Sequence, residues 1–283
     1  MKSLKKIGFA VVASASLLIA TQISASAAVN SAAAAQLPAS VKKSGTIVVG
    51  IDATYRPNEF KDANGKPIGW EVDLFNAVAA NLGVKAKYVI STFDNIIPAV
   101  KGGKYDVGLS SFTDNKEREA QVDFANYYSA GIQWASPKGK KVDPDNACGL
   151  IVAVQTGTTE VDDVKAKSAA CVKAGKKAIK VLPFDTQDQA NAAVVLGRAN
   201  ALSADSPVTG DAVAQSKGKM QLAGAIYGTA PYGMATAKGS TLVKAISASL
   251  NDLYKNGTYM KVLKKWGVEA GAVKVFGING ASA

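Results

Sequence analysis

The sequence predicts an α/β protein of two lobes, each built from strand–helix–strand units around a largely parallel sheet. Three observations predict it. Short apolar runs of strand length alternate with segments whose apolar residues recur at helical spacing. This plan occurs twice along the chain. Residues 97–109 (IPAVKGGKYDVGL) and 192–202 (AAVVLGRANAL) both run from helix through glycine and a basic residue to Asp or Asn, and then into a strand.

The elements follow in order. Residues 47–51 form an apolar run, and Asp52 follows it. Asn64-Gly65 marks the turn of a hairpin over residues 60–70. Leu74, Val78 and Leu82 recur every four residues, which predicts a helix from Val72 that Gly83 ends. Val84, Ala86, Tyr88 and Ile90 alternate with less apolar neighbours, as in a strand. Asp94 is placed to cap a helix that Gly102-Gly103 closes, and residues 105–109 are the next strand. The second half repeats this with strands at 150–154, 179–182 and 201–203 and helices at 158–171 and 185–196. Residues 131–136 and 231–235 read as the two connections between lobes. A last helix over 242–266 carries Leu242, Ile246, Leu250 and Leu253 as one stripe against the first lobe.

The first residues read as an address. Lys2, Lys5 and Lys6 precede an apolar run over 7–20, and Ser24-Ala25-Ser26-Ala27 supplies small residues. That order predicts a secretory signal cleaved near Ala27. The run is shorter than the ~18 residues a membrane span needs, and no cysteine near the cleavage point offers a lipid anchor. The expected division is 1–27 signal, 28–40 flexible leader, 41–135 with 234–283 as the first lobe, and 136–233 as the second.

Composition excludes several functions. Loss of residues 1–27 lowers the formal charge from +11 to +8. The remaining lysines stand singly among apolar residues, which argues against nucleic acid. The chain has no histidine, so Ser-His and Cys-His nucleophiles and His-ligated metals are excluded. With two cysteines a structural zinc is excluded as well, and neither metal nor cofactor is expected. Cys148 and Cys171 in an exported chain favour one disulfide; two separate buried thiols are the alternative.

Ligands of open α/β sheets bind beyond the carboxyl ends of the strands. Asp52 and Tyr55 follow the first strand, and Phe93 follows the second. Ser110, Ser111, Thr113 and Arg118 follow the third. Gln155, Gly157, Thr158 and Thr159 follow the first strand of the second lobe, and Asp205 follows the last. The set suits one small zwitterion. Arg118, at the start of a helix that Asn115 can cap, fits a carboxylate, with the Ser111 and Thr113 hydroxyls beside it. Asp205 fits an ammonium from the other lobe, and Tyr55 and Phe93 offer flat walls. Each residue also has a plainer reading: Arg118 as a solvated helix face, Asp205 as a helix cap, Tyr55 and Phe93 as core aromatics, Asp52 as a turn residue.

The stretches TIVVGIDATYRPNEF, GWEVDLFNAVAANLG, FDNIIPAVKGGKYDVGLSS and FTDNKEREAQVDFANYY, joined later by AVQTGTTE and ADSP, resemble the extracellular solute-binding proteins (family 3) of polar amino-acid ABC transporters. The resemblance implies the type II periplasmic-binding-protein fold with two hinge crossovers. It further implies a monomer that captures a free polar or cationic amino acid outside the cell or in the periplasm and delivers it to an ABC transporter permease. By resemblance, Arg118 grips the ligand carboxylate with Ser111, Thr113 and Thr159 near it. Asp205 takes the ammonium, Tyr55 and Phe93 flank the side chain, and Asp52, Gln155 and Glu160 set preference.

Three features depart from the family's pattern. Arg56-Pro57-Asn58-Glu59-Phe60 replaces a frequent Pro-Pro-Phe-Glu-Phe, Asn115-Lys116 replaces Thr-Pro, and Asp114 is unusual. Asp52 with Glu160 would favour a cationic or amide ligand; Arg56, turned inward, would favour an acidic one. A cyclohexadienyl dehydratase-like enzyme is the rival reading, with Glu59, Glu71 or Asp73 as acid or base.

Overall fold

The computed structural model describes residues 29–281, so the expected signal and its cleavage point lie outside the described residues. The expected flexible leader is instead folded. α1 (Ser31–Ala34), α2 (Ala39–Ser44) and the turn between them bury Ala33, Val41 and Leu37 against the first lobe. Ala33 lies on α1, Val41 on α2 and Leu37 in the turn between them, an apolar set that an Ala/Ser-rich composition disguises.

The first lobe then builds outward from β1 (Thr46–Ile51). β2 (Thr54–Tyr55), β3 (Glu59–Lys61) and β4 (Pro67–Ile68) form a small antiparallel sheet. α3 (Trp70–Asn81) buries Leu74, Phe75 and Val78, as its spacing predicts. β5 (Lys85–Ile90) pairs parallel with β1. α4 (Phe93–Lys101) starts at Phe93, with Thr92 rather than Asp94 at its cap position. The predicted strand at 105–109 shrinks to β6 (Val107–Gly108), parallel to β1. α5 (Lys116–Glu119) is a single turn capped by the Asn115 side chain, which accepts from Arg118 N at 2.9 Å.

The two connections lie within long strands. β7 (Val122–Pro137) runs through both lobes. In the second lobe follow β8 (Ile151–Gln155), α6 (Thr159–Lys173), β9 (Lys180–Phe184), α7 (Gln187–Val195), β10 (Ala201–Asp205) and α8 (Ser206–Gln215). β11 (Met220–Ala237) returns antiparallel to β7 along its length. The strand order β5-β1-β6-β11-β7-β10-β8-β9 thus makes one mixed sheet, with parallel strands at both ends and the antiparallel pair in the middle. Ile132–Ala135 pair with β10, while Ala130 and Tyr232 sit in the first core. The sequence boundaries at 135 and 234 therefore fall inside paired stretches. The β7–β11 register slips between Ala223 and Ala230, and the strands change lobe there.

The predicted last helix is two, α9 (Leu242–Lys255) and α10 (Thr258–Trp266). Gly257, at φ 82° between them, breaks the run in a conformation a side chain would resist. Leu242, Ile246, Leu250 and Leu253 are buried against the first lobe as predicted. Among the described residues no helix is long and apolar enough to cross a membrane.

Cys148 and Cys171 form the disulfide, with Cα atoms 5.6 Å apart, tying the segment before β8 to the end of α6. Replacing both by alanine is expected to lower stability to urea by about 3 kcal/mol. Ligand affinity should change little, because neither residue reaches the cleft.

Candidate functional site

The carboxyl ends of β1 and β6 face those of β8 and β10, and side chains bond across the gap. The Tyr55 hydroxyl donates to Asp205 Oδ2 at 2.8 Å and accepts from Asp205 N at 3.1 Å. Gln155 Nε2 donates to Asp52 Oδ2 at 2.7 Å. Gln187 N donates to Thr54 Oγ1 at 3.2 Å, and Arg118 Nη2 donates to Gly157 O at 3.1 Å. The Thr113 and Thr159 hydroxyls lie 3.4 Å apart. The lobes are closed on one another.

Between them is a chamber of about 10 Å³. Tyr55, Phe93, Ser111, Thr113 and Arg118 line it from the first lobe, and Thr158, Thr159, Glu160 and Asp205 from the second. A second cavity of about 220 Å³ shares Phe93, Arg118, Thr158 and Thr159 and continues toward solvent past Asp94, Glu117 and Asp162. An amino acid exceeds the inner volume, so entry requires the lobes to part.

Eight of the eleven predicted ligand residues line the chamber, and Asp52, Ser110 and Gln155 do not. The reason for Asp52 is saturation. Oδ1 accepts from Thr54 N and Oγ1 at 2.9 and 2.7 Å, and Oδ2 accepts from Phe93 N at 3.2 Å and from Gln155. Four donors exhaust a carboxylate, so Asp52 with Gln155 forms a cross-cleft tie. Ser110 turns beneath the site: its hydroxyl donates to Glu59 Oε1 at 2.8 Å and its oxygen accepts from Asp52 N at 3.2 Å. Glu160, which only the resemblance singled out, is the residue gained. It sits in the first turn of α6, almost fully buried, with one carboxylate oxygen unpartnered. In sequence it reads as an ordinary acid at a helix start.

Arg118 is held at both ends of its fork. Nη1 donates to Thr113 O at 2.9 Å, and Phe93 and Phe112 each lie 5.5 Å from its guanidinium carbon. Those two rings stack at 4.6 Å. Arg118 is thus no solvated helix face, and burial pulls its pKa down against the nearby Glu160 and Asp205 charges. Burial pushes the Asp205 carboxyl well up, Glu160 adds to this, and Tyr55 and Arg118 oppose it. Burial likewise raises Glu160, and Arg118 is among the groups that oppose it. Asp205 does precede α8 as a cap position, but its side chain makes no capping bond and is turned into the chamber instead. Phe93 and Tyr55 are chamber walls, and Tyr55 also bonds across the cleft.

Two departures from the family pattern resolve here. Arg56 turns outward: its Nε lies 3.1 Å from Asp211 Oδ2 on α8, and its guanidinium stacks 4.3 Å over Phe60. It does not face the chamber, so the route to an acidic ligand through Arg56 is gone. Asp114 is buried and accepts from Asn126 Nδ2 at 2.8 Å and Gly280 N at 2.7 Å.

Beneath the chamber lies a carboxyl pair. Ser111, in the left-handed region at φ 50°, donates through Oγ to Glu71 Oε1 at 2.7 Å and through N to Oε2 at 3.2 Å. Tyr127 also donates to Glu71. Burial first, and then the Glu71 charge, push Glu59 well above the usual carboxylate range. A group raised in this way holds its proton in the folded protein. Its contribution to stability is therefore intact below the unfolded pKa and is lost as pH rises toward the folded one. Glu59→Gln, which keeps the donor, is expected to melt like the parent at pH 5. It should gain up to about 1.4 kcal/mol for each pH unit above that until Glu59 ionises. Asp73 lies away from the chamber, accepting from Lys265 Nζ at 2.7 Å and Trp266 Nε1 at 2.8 Å.

The bacterial extracellular solute-binding proteins, family 3, match residues 47–269. The arginine-binding protein ArgT of Corynebacterium glutamicum is 40% identical over 248 residues, covering 87% of this chain and 82% of that one. An ancestral arginine-binding protein bound to glutamine superposes with TM-score 0.74 at 36% identity, over 80% of this chain and 99% of that one. An ancestral amino acid-binding protein described as a precursor of cyclohexadienyl dehydratase superposes with TM-score 0.69 at 35% identity, over 80% and 97%.

Proposed function

Because this chain belongs to the bacterial extracellular solute-binding proteins, family 3, we propose that it captures a free cationic L-amino acid, arginine above others, and delivers it to an ABC transporter permease. The carrying observation is the charge around the chamber: the Arg118 guanidinium faces two buried carboxyls, Asp205 and Glu160. A zwitterion uses Arg118 for its carboxylate and Asp205 for its ammonium. Glu160 then remains with one carboxylate oxygen unpartnered, and burying such a group is costly. A cationic side chain supplies that partner, a neutral one leaves it unmet, and an acidic one adds repulsion. The arginine-binding names among the relatives support the same choice.

Ligand that bridges the lobes draws the open–closed equilibrium toward closure. The chain acts without cofactor or metal, as an exported monomer cleaved near Ala27. Isothermal titration of the mature chain is expected to give arginine a Kd of about 1 μM or tighter, near −8 kcal/mol. Lysine and glutamine should bind more weakly, and glutamate should give no signal. Tight glutamate binding with none for arginine would reverse the assignment.

The dehydratase reading needs an acid or base at the substrate. Glu59 and Glu71 lie behind Ser110 and Ser111, and Asp73 is bound by Lys265 and Trp266. None lines the chamber. Incubation with prephenate or arogenate is expected to yield no product absorbance.

A further inference from the structure

The helix turn that carries Arg118 has few anchors of its own beyond the Asn115 cap and the Arg118 guanidinium. α5 is four residues long and buries none of them, and so short a turn does not hold itself in water. Bonds to Asp114 and Glu119 on either side of it come from residues past 269, beyond the part of the chain that matches the family. Phe276 is buried and meets the Tyr259 ring edge-on at 5.0 Å. From there the chain runs antiparallel along the free edge of β7. Asn126 N donates to Gly277 O at 2.9 Å, Asn279 N to Phe124 O at 3.0 Å, and Phe124 N to Asn279 Oδ1 at 2.8 Å.

The segment then reaches both sides of α5. Gly280 N donates to Asp114 Oδ2 at 2.7 Å, just before the Asn115 cap. Ala281 N donates to Glu119 Oε1 at 3.2 Å, at the other end of the turn. The approach is close: a Cβ on Gly280 would lie 2.6 Å from Asn126 Oδ1. Lys238 Nζ adds one bond to Glu119 O at 2.7 Å. Asp114, a departure from the family pattern, is thus the residue this segment grips.

We propose that residues 276–281 are a positioning strap that sets Arg118 for the ligand's α-carboxylate, through Asp114 and Glu119. The proposal rests on the reading that Arg118 meets that carboxylate. The test titrates L-arginine and L-argininamide, which lacks the charged carboxylate, into the full mature chain and three variants: one ending at Phe276, Asp114→Ala and Arg118→Ala. Thermal melts establish which are folded.

The truncated chain and Asp114→Ala are expected to lose at least about tenfold in preference for arginine over argininamide, with argininamide affinity held within about threefold. If the truncated chain does not fold, Asp114→Ala decides. A folded variant that keeps the parent's preference, or weakens both ligands equally, overturns the strap and leaves a purely structural segment. An unchanged preference in Arg118→Ala overturns the reading of Arg118 itself, and the strap with it.

Discussion

Arg118→Ala is expected to weaken arginine binding by about one and a half to three and a half orders of magnitude, the roughly 2–5 kcal/mol typical of removing one partner from a buried hydrogen-bonded charge pair. Three losses combine. The ligand carboxylate loses its fork. Thr113 O and Gly157 O lose their donor, and the second of these bonds joins the two lobes. Asp205 and Glu160 lose the cation that holds their pKa values down. Both carboxyls should therefore take up protons more readily, and the one needed for the ammonium is no longer ready. Arg118→Lys restores charge but not the planar fork, so it should recover less than about tenfold. Titration of both variants with arginine checks this. Near-parental affinity in Arg118→Ala would remove the basis of the proposed site.

Glu160→Gln is expected to cost arginine about 2 kcal/mol, near thirtyfold in Kd, the scale of a hydrogen bond to a charged group. Glutamine affinity should move little or improve, since the substitution removes a buried charge that glutamine cannot neutralise. The discriminating measurement is the ratio of the two affinities, because a general loss of packing would weaken both ligands. Proton linkage gives a second readout. Burial raises both Glu160 and Asp205 in the free protein, and a cationic ligand requires them ionised. Arginine affinity in the parent should therefore fall as pH drops through their raised values, with protons released on binding. In Glu160→Gln one of the two carboxyls is gone, so the pH dependence should be shallower. An equal loss for both amino acids, with unaltered pH dependence, would assign Glu160 a structural role.

Much of this is legible in the sequence alone. The alternation at 84–90 and the four-residue spacing of Leu74, Val78 and Leu82 yield β5 and α3, because burial on one face leaves its period in the sequence. Arg118, Asp205, Tyr55 and Phe93, which line the chamber, are legible in sequence because ligand sites collect at strand ends. The misses have a shared cause. α1 and α2 draw their stability from the lobe they pack on, and an Ala/Ser-rich stretch does not announce that partner. The crossovers read only as short connections because a strand that changes lobes changes neighbours midway, at Ala130 and Ile132.

The sequence by itself determined the two-lobed plan and the absence of histidine chemistry, and it points to a secretory address and to a set of residues suited to a zwitterion, since each is written in local pattern or composition. Only the tertiary structure decided which acid is free. Asp52 and Glu160 look alike as candidates, yet four donors surround the first, while the second keeps a carboxylate oxygen without a partner. Hydrogen-bond saturation depends on groups distant in the chain, such as Gln155 across the cleft, and no local pattern encodes their arrival.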